Sequence, residues 1–459
     1  MTDDAKRDEA KVAEKTKNLV ERSEKKKKSK KREKEADNQG AFSKFVGNVI
    51  SFGRNEEGEK KKSVAKKKQS ETKKAQNTDK KKTERKRFVD PTLMVTPSTV
   101  SVNPKATSSV ESWVERSLST GVTALREEYR SLSKYTMNGM TFEKFTANAA
   151  RNRYQDVPCQ DQNRVALVAP PANVDYIHAN YVGTPHNDKR FICTQGPLDN
   201  TIEEFWWMVW QEQAEQVIML CNCIETGKYK CAQYWPENVG EQKTVGTTPI
   251  NIENLESKNC EREPSVRITS LRLTIKDEKR LVRHIQWLDW PDRGVPPCRL
   301  TAMEILSTVR GSPKPIVVHC SAGIGRTGTI VAIEYIMEKL CAGYECMAMG
   351  ELLKEMRNQR AFSIQNDLQY LYIHRVMLCY FLEKYKEKYS SILTEENQQK
   401  YRKFVDEYNQ AIGFDPNAPG APPPLTFSQT PITQAAAPAT VAQVPSTKII
   451  NTMTQTPLQ

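Results

Sequence analysis

Residues 315–340 read PIVVHCSAGIGRTGTIVAIEYIMEKL. Ile316, Val317 and Val318 form a short apolar run with the character of a buried strand. A loop of small residues follows, containing Ala322, Gly323 and Gly325 between Cys320 and Arg326. Ile330, Ile333, Ile336 and Leu340 then recur at helical spacing, and Gly343 suits a helix C-terminus. Strand, glycine-bearing loop and helix start together make a nest of backbone N–H groups at a positive helix end, which suits an anion. The GxxxxGK[ST] pattern of the nucleotide P-loop is absent. A cysteine opens this loop and an arginine closes it. Near a helix N-terminus and a cation, a thiol pKa can fall from about 8.5 to roughly 3.5–7.5, making Cys320 a candidate nucleophile. Arg326 offers a planar fork that matches two oxygens of a phosphoryl group. The expectation is a phosphate cradle with a nucleophile at its floor.

The 459 residues carry a formal net charge of +13, which taken whole suggests a nucleic-acid or anionic-membrane protein. Residues 1–90 hold 30 Lys/Arg and 17 Asp/Glu, whereas residues 91–459 hold 39 of each. The basicity therefore belongs to a tail, and the rest reads as a neutral globular protein. The composition of 1–90 predicts a disordered segment, interrupted by an amphipathic island at 41–52. There Phe42, Phe45, Val46, Val49 and Ile50 fall on one helical stripe, which suits an anionic membrane or a partner's groove, or simply a patch folding back. Residues 91–107 read as a Pro/Ser/Thr linker and 108–392 as an α/β domain with a large sheet. Thr394 reads as the N-cap of an amphipathic helix over 393–413, with Tyr401, Phe404, Val405, Tyr408 and Ile412 on one face. Residues 414–459, rich in Pro, Ala and Thr, read as a disordered tail.

No apolar run approaches the ~20 residues of a spanning helix, and the first residues lack the apolar core of a secretory signal. The 11 cysteines are scattered without a CxxC pair, so reduced thiols in a cytoplasmic or nuclear setting are expected. The five histidines have no metal-ligand spacing, so neither a metal nor a cofactor is expected. The lysine-rich segment suits weak contact with an anionic membrane or nucleic acid, peripheral to either. Its mixed charge and few aromatics argue against specific nucleic-acid recognition. Nothing sets an oligomeric state, and a monomer is the starting assumption.

The stretch His319-Cys-Ser-Ala-Gly-Ile-Gly-Arg326 resembles the HCxxGxxR signature of the tyrosine-specific, non-receptor protein tyrosine phosphatase family. Other motifs follow in that family's order: Arg151-Asn-Arg-Tyr154, DYIHANYV at 175–182, TQGPL at 194–198, KCAQYWP at 230–236, Trp290-Pro-Asp292 and Gln365-Asn-Asp-Leu-Gln369. The resemblance spans roughly 120–388. It implies a single α/β domain with a twisted, mainly mixed β-sheet flanked by helices, acting on phosphotyrosine-containing proteins.

The resemblance also implies roles. Cys320 would attack phosphorus and form a cysteinyl-phosphate. Arg326 and the N–H groups of Ser321, Ala322, Gly323, Ile324 and Gly325 would hold the equatorial oxygens, with Glu225 orienting the arginine. Asp292 would protonate the leaving oxygen and then activate water, which Gln365 and Gln369 orient. Thr327 would reach the sulfur and help it leave. His319 would support the loop rather than act as a base, and Lys230 would support the site. Tyr154 would stack on the substrate ring and Asp156 would accept from the substrate backbone; by themselves they read equally as a core aromatic and a turn cap. Two positions depart from the common pattern. Arg293 stands where many members carry an aromatic, and Phe362 where members with an open neighbouring pocket carry glycine, so a ring there is expected to block that pocket and crowd the slot. The competing possibility is a catalytically weak phosphotyrosine-binding scaffold, against which the intact Cys320, Arg326, Asp292 and Gln365 argue.

Overall fold

In this computed structural model, the strand predicted at 316–318 lies at the middle of a nine-stranded sheet, with all four residues of Ile316–His319 buried. The structure describes residues 105–168 and 174–419. The basic segment, the amphipathic island, most of the linker and most of the 414–459 tail lie outside the described residues.

In chain order the elements are α1 (Ala106–Ser131), α2 (Glu143–Ala147), β1 (Arg164–Ala166), β2 (Tyr176–Thr184), β3 (Asn187–Thr194), α3 (Ile202–Gln211) and β4 (Gln216–Met219). A small hairpin, β5 (Ile224–Glu225) and β6 (Lys228–Tyr229), precedes β7 (Gln242–Val245), β8 (Ile250–Asn259), β9 (Val266–Ile275) and β10 (Glu278–Trp287). Then come α4 (Thr301–Val309), β11 (Ile316–His319), α5 (Gly325–Cys341), α6 (Met349–Gln359), α7 (Asp367–Cys379) and α8 (Glu395–Ile412). The large sheet runs β1-β2-β3-β11-β4-β10-β9-β8-β7. Its centre is parallel, with β11 paired to both β3 and β4 and β4 paired to β10, while both flanks are antiparallel. The mixed α/β sheet read from the sequence is the observed architecture. The loop after β11 therefore opens at the C-terminal end of a central parallel strand, where such sheets place ligands.

The helix after that loop is buried on every side. Ile330, Ile333, Ile336 and Leu340 are buried as their spacing predicts, and so are Val331 and Ala332. Glu334 is buried with them, and Arg310 takes it bidentately at 2.8 and 2.6 Å, which offsets its desolvation. This helix is thus fixed by core packing on one side of the loop and by the sheet on the other.

One boundary differs from the sequence reading. Helix α1 begins at Ala106, inside the segment read as linker, because Ala106 and Val110 bury against the domain. Helix α1 is interrupted at Gly121, whose backbone (φ 71, ψ 171) kinks the chain. Helix α8 is capped by the Thr394 hydroxyl, which accepts from the Asn397 N–H at 3.2 Å, and it ends at Gly413 in the left-handed region. Phe404 and Tyr408 pack it onto the domain. Trp206 is core, and Trp210 is half-buried under Arg280. No helix among the described residues is long and apolar enough to cross a membrane.

Candidate active site

Cys320 follows β11 directly, and the loop after it is shaped by two glycines with little freedom to vary. Gly323 has φ +70, and a Cβ there would fall 2.1 Å from the Thr194 carbonyl oxygen. Gly196, in the TQGPL segment after β3, leaves no room for a Cβ against the Cys320 carbonyl, and its N–H donates to Ser321 O at 2.9 Å. The Gly323 N–H donates to the Cys320 sulfur at 3.2 Å. Helix α5 begins at Gly325, so its first N–H groups have no intrahelical acceptor.

The carbonyls of this loop are held from behind by a residue the sequence reading did not single out. Arg360 is fully buried, and its Nε donates to Gly323 O at 2.7 Å and its Nη2 to Ala322 O at 3.3 Å. Its remaining donors go to Asn180 Oδ1 and His178 Nδ1. Pulling the carbonyls outward turns the following N–H groups inward. Nothing in the local sequence marks Arg360, since its partners lie 37 to 182 residues away.

Arg326 is almost fully buried, with both terminal nitrogens on Glu225 at 2.6 and 2.8 Å and a further bond to Leu220 O. Burial disfavours its charge, but Glu225 more than offsets this and the guanidinium titrates above its ordinary value. Glu225 comes from the β5–β6 hairpin, as does Lys230 just after it.

Lys230 donates to one oxygen of Asp292 at 2.7 Å, and Arg326 donates to the other at 3.1 Å. Burial alone would raise the Asp292 carboxyl; the Lys230 hydrogen bond and the charges of Lys230, Arg326 and Arg293 outweigh it and hold the group below its ordinary value.

His319 is fully buried, and its Nδ1 lies 3.1 Å from the Cys320 carbonyl, so that nitrogen carries the proton and donates. Its Nε2 then accepts from the Tyr234 hydroxyl at 2.7 Å, and His284 Nε2 donates to the same hydroxyl. Burial pushes His319 down to about 4, against the opposing bond to Cys320, so it is neutral near pH 7. Tyr234 lies within KCAQYWP, and nothing in that stretch marks its bridging place.

Tyr154, Asp156, Asp292, Cys320, Arg326, Gln365 and Gln369 line one cleft together with Ser321, Ala322, Gly325 and Lys230. The Tyr154 hydroxyl lies 2.8 Å from Ser321 Oγ, and Ser321 Oγ donates to Lys230 O. Gln365 is exposed; its backbone N–H donates to Gln369 Oε1, and both side chains lie against Gly325, where a Cβ would come within about 3 Å of each. Asn366 caps helix α7 at the Gln369 N–H and donates from its side chain to Arg293 O.

The Thr327 hydroxyl is buried without a hydrogen-bond partner. One expectation is corrected. Phe362 is half-buried at φ 60 and is absent from the cleft lining, so it does not crowd the main slot. Its left-handed backbone accounts physically for a glycine preference at such a position.

Residues 148–379 match the family model described as "Protein-tyrosine phosphatase". Tyrosine-protein phosphatase non-receptor type 9 of Homo sapiens is 34% identical over 273 residues, 55% of this chain and 45% of that protein. Tyrosine-protein phosphatase 1 of Caenorhabditis elegans is 40% identical over 243 residues, 51% of this chain and 23% of that protein. Among solved structures, the catalytic domain of human protein tyrosine phosphatase non-receptor type 18 superposes with a TM-score of 0.52 at 28% identity, covering 59% of this chain and 99% of that one. A complex of that phosphatase with HER2 phosphopeptides gives a TM-score of 0.53 at 30% identity, covering 60% of this chain and 99% of that one. This chain belongs to the protein-tyrosine phosphatase family, with non-receptor members among its relatives. The matched region spans less than half the length of these curated relatives.

Proposed function

We propose that the protein hydrolyses phosphotyrosine in proteins by double displacement. The observation that carries this reading is the convergence, in one cleft, of the Cys320 thiol, the Glu225-fixed Arg326 fork and the Asp292 carboxyl. Cys320 attacks phosphorus in line, the P–O bond to tyrosine breaks, and Asp292 delivers a proton to the departing oxygen. Arg326 and the inward N–H groups hold the charge on the equatorial oxygens, held in place beforehand by Glu225 and Arg360. In the second step water positioned by Gln365 and Gln369 attacks phosphorus, Asp292 takes its proton, and the P–S bond breaks to release the Cys320 thiolate. The Thr327 hydroxyl, unpartnered and close in sequence, is available to donate to it then. Tyr154 stacks on the ring, and Asp156 accepts from the peptide backbone. The cycle assigns no step to a metal.

The depressed Asp292 fits this cycle. A phosphate dianion engages Arg326 and adds negative charge nearby, which raises the carboxyl towards the protonated state the first step needs. Turnover of a phosphotyrosine peptide by wild type, Cys320→Ser and Asp292→Ala tests the reading. Wild type is expected to turn over and Cys320→Ser not; Asp292→Ala should bind while kcat falls about 10²–10⁴-fold. Equal rates for wild type and Cys320→Ser would sink the enzyme reading and leave the phosphotyrosine-binding scaffold.

For the segment 1–90, its concentrated positive charge supports weak anchoring at an anionic surface, peripheral to the cytoplasmic face of a membrane or at nuclear nucleic acid. Binding to anionic vesicles with and without 1–90, at low and high salt, tests this; equal, salt-insensitive binding rejects it.

A further inference from the structure

Of the charged side chains that line the cleft, three are used up within it: Lys230 pairs with Asp292, and Arg326 with Glu225 and Asp292. Two remain, Asp156 and Arg293, and both are exposed. Among the described residues neither side chain makes an ion pair or a hydrogen bond. Beside Asp156 stands Gln155, a neutral side chain tied to the Ala149 and Asn152 carbonyls. Among the side chains that line the cleft, Asp156 therefore stands near Tyr154, and the segment after Asp292 carries a cation without an ion pair.

The backbone of Arg293 is fixed although its side chain makes no hydrogen bond. It sits at φ 61, in the left-handed region that side-chain-bearing residues rarely adopt. Asn366 donates to its carbonyl at 2.9 Å, and the Trp290 indole N–H donates to the next carbonyl, Gly294 O, at 3.1 Å. The guanidinium is thus presented from an anchored Cα next to the acid, at the mouth rather than the floor. The phosphoryl group does not need it, since Arg326 and the loop amides already neutralise that group.

We infer that Arg293 reads a carboxylate on a residue flanking the phosphotyrosine, so that acidic phosphopeptides are the favoured substrates. The inference rests on the phosphatase reading above. The planar fork suits a carboxylate, and Asp156 in the same cleft disfavours an anion beside it.

The test uses the full chain and a series of phosphotyrosine peptides carrying Glu or Gln at each position from two before to two after the phosphotyrosine. The quantity read is the Glu/Gln ratio of kcat/KM on one enzyme, which cancels any general change in activity. Wild type is expected to favour Glu about 2- to 5-fold at one position, the range of an exposed ion pair. The effect should sit in KM and shrink at high salt. Arg293→Gln should bring the ratio to about one, and Arg293→Lys should retain most of it. A wild-type ratio near one at every position overturns the inference, as does an unchanged ratio in Arg293→Gln. A uniform change in all peptides on Arg293→Gln also overturns it, because the charge would then act only on Asp292. Turnover of no peptide at all would instead overturn the phosphatase reading with it.

Discussion

Lys230 and Asp292 lie 62 residues apart in sequence, yet their 2.7 Å contact decides how the proposed acid behaves. Because the cation lowers the carboxyl, removing it must raise the group. An acid that must be protonated stays competent up to its pKa, so Lys230→Met is expected to move the basic limb of the kcat–pH profile upwards. An unmoved limb would contradict the pairing. Arg360 gives a second test at this scale. Its four acceptors include no carboxylate, and a lysine there cannot reach Gly323 O, Ala322 O, Asn180 and His178 together. Arg360→Lys should lower stability by about 1–3 kcal/mol, the cost of leaving buried polar groups unpaired. Denaturant unfolding measures this, and a value within error of wild type would show that the carbonyls need no such support.

At the scale of elements, the loop between β11 and α5 depends on what surrounds it. Gly323→Ala would drive a methyl into the Thr194 carbonyl, so the cradle must shift and activity should fall at least about 100-fold, consistent with the cost of ~1 Å misplacements. Near-normal activity would mean that the cradle tolerates displacement. Helix α8 reaches the same region from outside: Tyr408 donates to Pro296 O, four residues past Asp292, and Phe404 is buried beside it. A chain ending at Leu393 should be less stable than one ending at Pro419 by several kcal/mol, taking ~1.5–3 kcal/mol for each large side chain exposed. Equal melting would contradict the packing. Elements whose apolar pattern matches their burial were legible, α5, α8, β9 and β11 among them. Strand β2 is buried along nearly its whole length yet carries His178 and Asn180, polar residues that Arg360 and the Val157 carbonyl satisfy from elsewhere. Strand β8 places Asn254 at a core position, where Nδ2 donates to Pro236 O and Glu237 O. In both strands a distant partner replaces the apolar side chain that pattern reading looks for.

Across the whole molecule, four of the five histidines are fully buried: His178, His284, His319 and His374. Burial pushes His319 down to about 4 and the other three to about 3. These groups stay neutral in the native state but take up protons near pH 6.5 once unfolded. The stability they confer is complete above that pH and is lost as pH falls towards 4. Thermal unfolding at pH 7, 6 and 5 should show a falling Tm, and a flat Tm would contradict their neutral burial. The same scale shows what the sequence could reveal of the site. Cys320, Arg326 and the loop glycines are adjacent in the chain and legible from chemistry alone; Asp292, Gln365 and Glu225 were found through family motifs. Arg360 and Tyr234 act through contacts that only the fold creates. The central claim is that Cys320 carries the phosphoryl group between two displacements. Rapid quenching of Gln365→Ala with a phosphotyrosine peptide, followed by mass analysis of the Cys320-containing fragment, tests it directly. One phosphoryl group on Cys320, formed before steady state and absent from Cys320→Ser, is the predicted result; turnover with that fragment unmodified at every time point would contradict it.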